Sequence, residues 1–220
     1  MTKLPDDPTL DEVRAYVAPL LPAHAVFDGW TSAALVSAAR ETGLDSQMLE
    51  LAFPGGATDM INAWFESLDE ALTQAIPAQT LSEMKMRDRI AALVQARLDM
   101  VKMHREALRR AQSLLALPQN LGKAAKYGWR TADRIWRLAG DQATDFNHYS
   151  KRIILASVYA ATLLVFLDDE SEGERETRGF LARRIDGIIR FERAKHRWQE
   201  RRERRPSLSR FVGRLRYPAI

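Results

Sequence analysis

The chain has 220 residues, no cysteine, and 33 Lys and Arg against 29 Asp and Glu. That length allows one or two compact units with a substantial core, and the lack of Cys excludes disulfides and thiolate metal sites. The net charge of +4 hides an asymmetry: residues 1–80 carry 3 Lys/Arg and 12 Asp/Glu, residues 181–220 carry 13 and 4, so an anionic partner is expected at the C-terminal end.

Residues 9–23 read as a first helix, with Leu10, Val13, Val17 and Leu20 along one side and Pro19 and Pro22 limiting its end. After Phe27-Asp28-Gly29-Trp30, Thr31 is a good N-cap for an Ala-rich helix over 32–42, which Gly43 stops. Asp45 or Ser46 caps a short helix ending near Phe53, and after Pro54-Gly55-Gly56 a longer helix runs from Thr58 or Asp59 to about Ile76. Three short helices with a glycine-bearing turn before the third give a helix-turn-helix outline. Residues 82–117 have room for two helices, ended by Leu117-Pro118, and residues 120–138 for another. Ala139-Gly140-Asp141 breaks that helix, and Thr144 or Asp145 caps the next.

From Ile153 to Leu167 the chain is uncharged and apolar nearly all round. A core helix packed on several sides is expected there, since about 20 apolar residues are needed to cross a bilayer. Ser171 with Glu174 fits a capping box opening a long last helix, and the acidic run from Asp168 to Glu174 reads as a solvated turn. Past Pro206, Leu208, Phe211, Val212 and Leu215 fall on one helical face flanked by Arg210, Arg214 and Arg216. This composition predicts a membrane-surface helix that favours anionic lipid. Nothing alternates with period two for long enough to form a strand, so the fold class is all-α. Three parts are expected: a helix-turn-helix-like domain at 1–57, a helical bundle at 58–205 and an amphipathic segment at 206–220.

The order Ala38-Ala39-Arg40-Glu41-Thr42-Gly43-Leu44 … Phe53-Pro54 is similar to the N-terminal domain of TetR-type regulators. A transcriptional regulator with a small-molecule pocket is therefore one reading. However, the helix in the recognition position, Ser46-Gln47-Met48-Leu49-Glu50-Leu51-Ala52, has no Lys or Arg and carries an acid. It lacks the cations that phosphate contacts need, and DNA is not expected as a partner. An enzyme is not expected either. The four histidines lie far apart, and Asp145-x-x-His148 is the only carboxylate-x-x-His, where a helical diiron site wants two Glu-x-x-His pairs. No nucleophile elbow or phosphate loop appears, and no metal site is expected.

A second pattern runs through Ala139-Gly140-Asp141, Thr144-Asp145-Phe146-Asn147, Tyr149, Lys151-Arg152, Tyr159, Thr162 and Asp168. It continues in Thr177, Phe180-Leu181 and Arg184, with Phe27-Asp28-Gly29-Trp30 upstream. This pattern resembles the lipid-binding accessory family of ubiquinone biosynthesis, the ninth Coq family, with His148 where that family commonly has Trp. The resemblance implies a TetR-like fold, a non-enzymatic role and no cofactor beyond a bound isoprenoid lipid. Trp64, Phe65, Leu68, Tyr159, Leu163 and Phe166 are the candidate lipid contacts, although as residues alone they are equally ordinary core. A polar and aromatic cluster of Asp133, Trp136, Asp145, His148, Tyr149, Lys151 and Arg152 has the composition of interface anchors. The resemblance implies that this surface docks the diiron hydroxylase acting on demethoxyubiquinone. Surface capping and ion pairs explain the same residues equally well. A homodimer is expected. The first residues, Met1 to Asp7, show neither signal-peptide nor presequence character. A bacterial cytoplasmic location, peripheral on the inner membrane, is therefore expected, or the matrix side of the mitochondrial inner membrane for a mature eukaryotic chain.

Overall fold

The structure is a computed structural model that describes residues 4–141 and 146–203. The side chains of 146–147, 189 and 191–203 lie outside that description, as do Asp145 and the whole segment carrying Leu208, Arg210, Phe211, Val212, Arg214 and Leu215. Every regular element among the described residues is a helix. Helix α1 (Leu10–Val17) opens on a capping box: Thr9 Oγ1 accepts from the Glu12 N–H while the Glu12 carboxylate takes the Thr9 N–H. Residues 9–23 are not one helix. The chain turns at Ala18-Pro19-Leu20 and α2 (Leu21–Asp28) starts afresh with Pro22 in its first turn, where a missing N–H removes no intrahelical bond.

Helices α3 (Ser32–Thr42) and α4 (Ser46–Ala52) keep their predicted limits because both ends are written locally. Thr31 Oγ1 accepts from the Ala33 N–H, Asp45 Oδ1 from the Gln47 N–H, and Gly43 closes α3 in the left-handed region at φ +73°. The four helices bury Val13, Val17, Leu21, Leu35 and Leu49. They sit on α5 (Ala57–Ala75) through two anchors. Arg14 reaches Asp59 Oδ1 at 2.5 Å, and the Trp30 indole stacks on Trp64 with ring centres 5.3 Å apart. Trp30 Nε1 also donates to the Ala107 carbonyl at 3.0 Å, so the Phe27-Asp28-Gly29-Trp30 motif is a joint between the two parts of the molecule.

The larger part comprises α5, the short α6 (Ala78–Glu83), α7 (Met86–Val101), α8 (Arg105–Leu115), α9 (Leu121–Leu138), α10 (Phe146–Asp168) and α11 (Arg175–Glu203). The central helix is α10, which packs on α9, α11, α7 and α8. It extends beyond the apolar run to 23 residues, and its stretch from His148 to Asp168 is long and apolar enough to cross a membrane (mean hydropathy 1.6). Length therefore does not mark it as a core helix; its packing does, together with buried Arg152 and Thr162. Nor is it packed all round. Tyr149, Ile153 and Leu164 are each more than half exposed and form one open stripe.

The acidic turn after α10 is solvated only at Asp168, Glu170 and Glu172; Asp169 and Glu174 are buried, and the capping box expected at Ser171 does not form. Glu174 adopts φ +57°, is buried, and turns away to meet Arg105 at 2.9 Å and Lys102 at 3.0 Å. Asp169 takes over as the cap: its Oδ2 accepts from Thr177 N (2.8 Å) and Thr177 Oγ1 (2.6 Å), and its Oδ1 from Ser171. Arg105 and Arg109 donate to the carbonyls of Asp169 and Leu167, satisfying the open C-terminal end of α10. Burial alone would raise the Asp169 carboxyl, but the hydrogen bonds from Ser171 and Thr177 outweigh it and hold it well below the usual carboxylate range. With the folded pKa depressed, its contribution is present above the ordinary carboxylate range and is lost as pH falls below it. Urea midpoints measured from pH 7 down to pH 2.5 should therefore fall less steeply in Asp169→Asn than in the wild type. An unchanged acid limb would show that this carboxylate does not set acid stability.

Candidate functional site

Two neighbouring features are candidates: the corner where α9 meets α10, and a cavity behind it. The corner starts from Ala139-Gly140-Asp141. Gly140 N donates to Arg137 O and Asp141 N to Trp136 O, both at 2.9 Å, a Schellman ending for α9. It requires Gly140 at φ +90°, where a Cβ would also stand 3.3 Å from Arg89 Nη1. Arg89 Nη1 donates to the Ala139 carbonyl, tying this turn to α7.

The turn aims Asp141 at the first turns of α10. Its carboxylate accepts from Lys151 Nζ at 2.8 Å and from Arg152 Nη1 at 3.2 Å. Arg152 is 1% exposed and reaches back to Asp133 Oδ1 at 2.5 Å and to the His148 carbonyl at 3.1 Å. Burial would raise the Asp141 carboxyl, but Lys151 and Arg152 outweigh it and lower it. Trp136 is 3% exposed; its Nε1 donates to the Lys151 carbonyl at 3.1 Å, and Lys151 Nζ lies 5.3 Å from its ring centre. Asp133, Trp136, Lys151 and Arg152 therefore form an internal lock between α9 and α10. The reading of Trp136 and Arg152 as surface anchors is corrected, because each has an inward partner that the sequence spacing does not show.

Other residues of the cluster do reach the surface. Tyr149 is 58% exposed and packs with Trp129 (5.9 Å) and half-buried His148 (5.2 Å). Sequence reasoning overlooked Trp129, which α9 places one turn from Asp133 and two from Trp136. The aromatic trio continues into the open stripe of Ile153 and Leu164.

Behind this corner, α5, α7, α8, α9 and α10 enclose a cavity of about 110 Å³. Of the candidate lipid contacts, Phe65, Tyr159 and Leu163 line it. Trp64, Leu68 and Phe166 do not: Trp64 is stacked against Trp30 and Phe166 lies under Arg105 with the guanidinium 4.2 Å from its ring centre. A polar group at the wall had no signal in the sequence. Arg97 of α7, fully buried, donates from Nε to Asp69 Oδ1 at 3.0 Å and from Nη1 to the Tyr159 hydroxyl. Asp69 also accepts from Arg130 Nε at 3.1 Å and Thr131 Oγ1 at 3.1 Å. Burial opposes the Arg97 charge, but Tyr159 and Asp69 outweigh it and keep the guanidinium protonated, while burial pushes the Tyr159 hydroxyl up. A larger cleft of about 580 Å³ lies between α1, α5 and α9, lined by Asp11, Arg14, Glu66, Glu70, Arg130 and Arg134. Ala15, Ala18, Ala63 and Ala71 line it between the charged side chains.

A helix-turn-helix unit seated on a helical bundle with an internal cavity is the TetR-type class of fold. The chain is similar to the crystal structure of a TetR transcriptional regulator from Nitrosomonas europaea, with TM-score 0.61 and 22% identity over 82% of this chain and 97% of that one. At that identity the likeness concerns the fold. Residues 121–192, which build α9, α10 and much of α11, match the family described as COQ9. Curated relatives include the mitochondrial ubiquinone biosynthesis proteins COQ9 of Drosophila melanogaster (29% identical, 83% of this chain and 57% of that protein) and Homo sapiens (31%, 77% and 54%). The rat protein is 32% identical over 73% of this chain and 54% of its own length. The chain is thus a relative of the COQ9 proteins, as its motifs imply, and it spans a little over half the length of the relatives it matches.

Proposed function

We propose that this chain is a non-enzymatic accessory protein of ubiquinone biosynthesis that binds isoprenoid lipid intermediates and presents them to a diiron hydroxylase. The observation that carries this reading is the position of the COQ9-like residues: they build both the exposed aromatic stripe and one wall of the cavity. A surface for a helical partner and a cavity for an apolar ligand then lie on the two sides of α10. The cavity of about 110 Å³ is smaller than the roughly 300–1,000 Å³ of typical ligand pockets, so lipid entry requires α9 and α10 to part. A DNA-binding regulator is the weaker reading, because α4 turns Gln47, Glu50 and Leu51 outward where cations would be needed.

The test is mass spectrometry of the organic extract of purified protein. A polyprenylated quinone precursor is expected in stoichiometric amount; an extract holding only bulk phospholipid in proportion to the host membrane would overturn the lipid-presenting role. The proposal also places the chain on the membrane surface through Leu208, Phe211, Val212 and Leu215, with Arg210 and Arg214 toward anionic headgroups. Each Arg near an anionic leaflet adds about 1 kcal/mol, reduced by salt. In flotation with anionic liposomes the full chain should rise, and a chain ending at Arg205 should stay in the pellet fraction. Equal flotation of both would remove this segment as the anchor.

A further inference from the structure

The helix-turn-helix-like unit carries the opposite charge to one that holds DNA, and its outer face has an apolar centre. Helix α4 turns Gln47, Glu50 and Leu51 outward, and Leu51 is 66% exposed. Leu10 of α1, 46% exposed, belongs to the same face. Helix α1 packs on α4, and Arg14, one turn after Leu10, donates from Nη1 to the Ala52 carbonyl at 3.1 Å. Asp11 and Glu50 are chain neighbours of these two leucines, while Asp6, Asp7 and Asp45 stand just before the two helices; all five are exposed. Asp6, Asp7, Asp11 and Glu50 form no ion pair among the described residues. Of the unit's described Lys and Arg, Arg14 is committed to Asp59, which leaves Arg40 of α3. The face is therefore two leucines within a negative field.

The chain itself supplies the chemical complement. Residues 204–220 hold five Arg and no Asp or Glu, with the apolar stripe of Leu208, Phe211, Val212 and Leu215 between them. We propose that the open face of α1 and α4 docks this segment of a second copy, leucines against the stripe and carboxylates against Arg210 and Arg214. The chain's own segment is out of reach. Glu174, just before α11, meets Lys102 and Arg105 at the α7–α8 turn, where His104 packs on Trp64 and Trp64 on Trp30 of the unit. Further along α11, Asp186 meets Arg87, at the opposite end of α7. Helix α11 therefore runs away from the unit, about 24 Å along the 16 residues of α7 and about 26 Å more from Asp186 to Glu203. Leu208 lies five residues past Glu203, a reach of about 17 Å against roughly 50 Å. A second copy lying antiparallel brings its segment to the face, and the exchange made in both directions closes a pair. The segment then has two alternative covers, the bilayer on a membrane and the acidic unit of another copy away from it. This docking needs neither the lipid nor the hydroxylase of the accessory role.

The chain has no cysteine, so full chains with one introduced thiol report the contact directly. Leu51→Cys and Leu208→Cys, carrying different tags, are mixed at low ionic strength without lipid and oxidised with glutathione disulfide. A disulfide joining the two variants should form in higher yield than one between Leu208→Cys and Ala125→Cys, an exposed control position on α9. Adding Asp11→Lys and Glu50→Lys to the Leu51→Cys chain should lower the yield about fivefold, the upper worth of one exposed ion pair. Asp11, Glu50 and Leu51 are all exposed, so these changes leave the fold intact. A yield no higher than the control's, or one that the two lysines leave unchanged, would overturn the docking. So would a chain bearing both cysteines that closes on itself in dilute solution, because the occupant is then its own segment. Liposome flotation succeeds or fails independently of this link, since no lipid is present.

Discussion

Replacing Asp69 by Asn should destabilise the protein by about 3–5 kcal/mol, the usual cost of leaving a buried charge without its partner. Asp69 is where α5, α7 and α9 are joined: Arg97, Arg130 and Thr131 all donate to its two oxygens. Arg97 is fully buried and keeps its proton, so losing the carboxylate strands a positive charge in the core. Asn preserves the shape, which isolates the charge from any cavity effect. Glu66→Ala is the matched control. It also removes a partner of Arg130, but a half-exposed one, and exposed pairs contribute about 0–1 kcal/mol. Urea unfolding followed by circular dichroism should show a lower midpoint for Asp69→Asn at unchanged slope. Adding Arg97→Met to Asp69→Asn should restore most of the loss, since a buried pair replaced by apolar side chains is often neutral. A loss below about 1 kcal/mol in Asp69→Asn would mean that Arg97 has another source of compensation.

The physical reach of each signal decides what was legible in the sequence. Helix α3 was readable to the residue because Thr31 and Gly43 act on backbone atoms within a few positions of themselves. The division of residues 9–23 into α1 and α2 was not, because Pro22 is equally at home ending one helix or starting the next. Buried charge was the least legible. Asp69 meets Arg97 across 28 residues and Arg130 across 61, so nothing local marks it as different from its neighbour Glu70, which is exposed. Glu174 misled for the same reason, since Arg105 and Lys102 are brought against it from far back in the chain, whereas Asp169 is buried by nearby Ser171 and Thr177. The corner of α9 and α10 was half-readable. Gly140 announced a break, and the residues that would fill it were named, but the direction each side chain takes depends on Asp141, which the same turn positions.

That last point separates two aromatic residues that composition alone had grouped as interface anchors. Trp136→Ala should cost about 3–5 kcal/mol of stability, as large-to-small changes of a buried Trp do. Its indole is 3% exposed, its N–H is bonded to the Lys151 carbonyl, and its face carries the Lys151 ammonium. Removing it opens a void between α9 and α10 and releases Lys151 from one side of the Asp141 lock. Tyr149→Ala should change stability by only about 0.5–1 kcal/mol, since the ring is 58% exposed and its neighbours Trp129 and His148 remain supported by their own helices. The order reverses when binding is measured. Truncating an exposed aromatic at the centre of an interface typically costs about 2 kcal/mol or more. Co-purification with a helical diiron hydroxylase should therefore fall at least about tenfold in Tyr149→Ala, at a melting temperature close to wild type. Trp136→Ala should lose its partner only in proportion to the fraction unfolded, and lowering the temperature should restore its binding but not that of Tyr149→Ala. If Tyr149→Ala binds the hydroxylase as the wild type does, the partner surface lies elsewhere on the molecule, and the open stripe of α10 needs a different occupant.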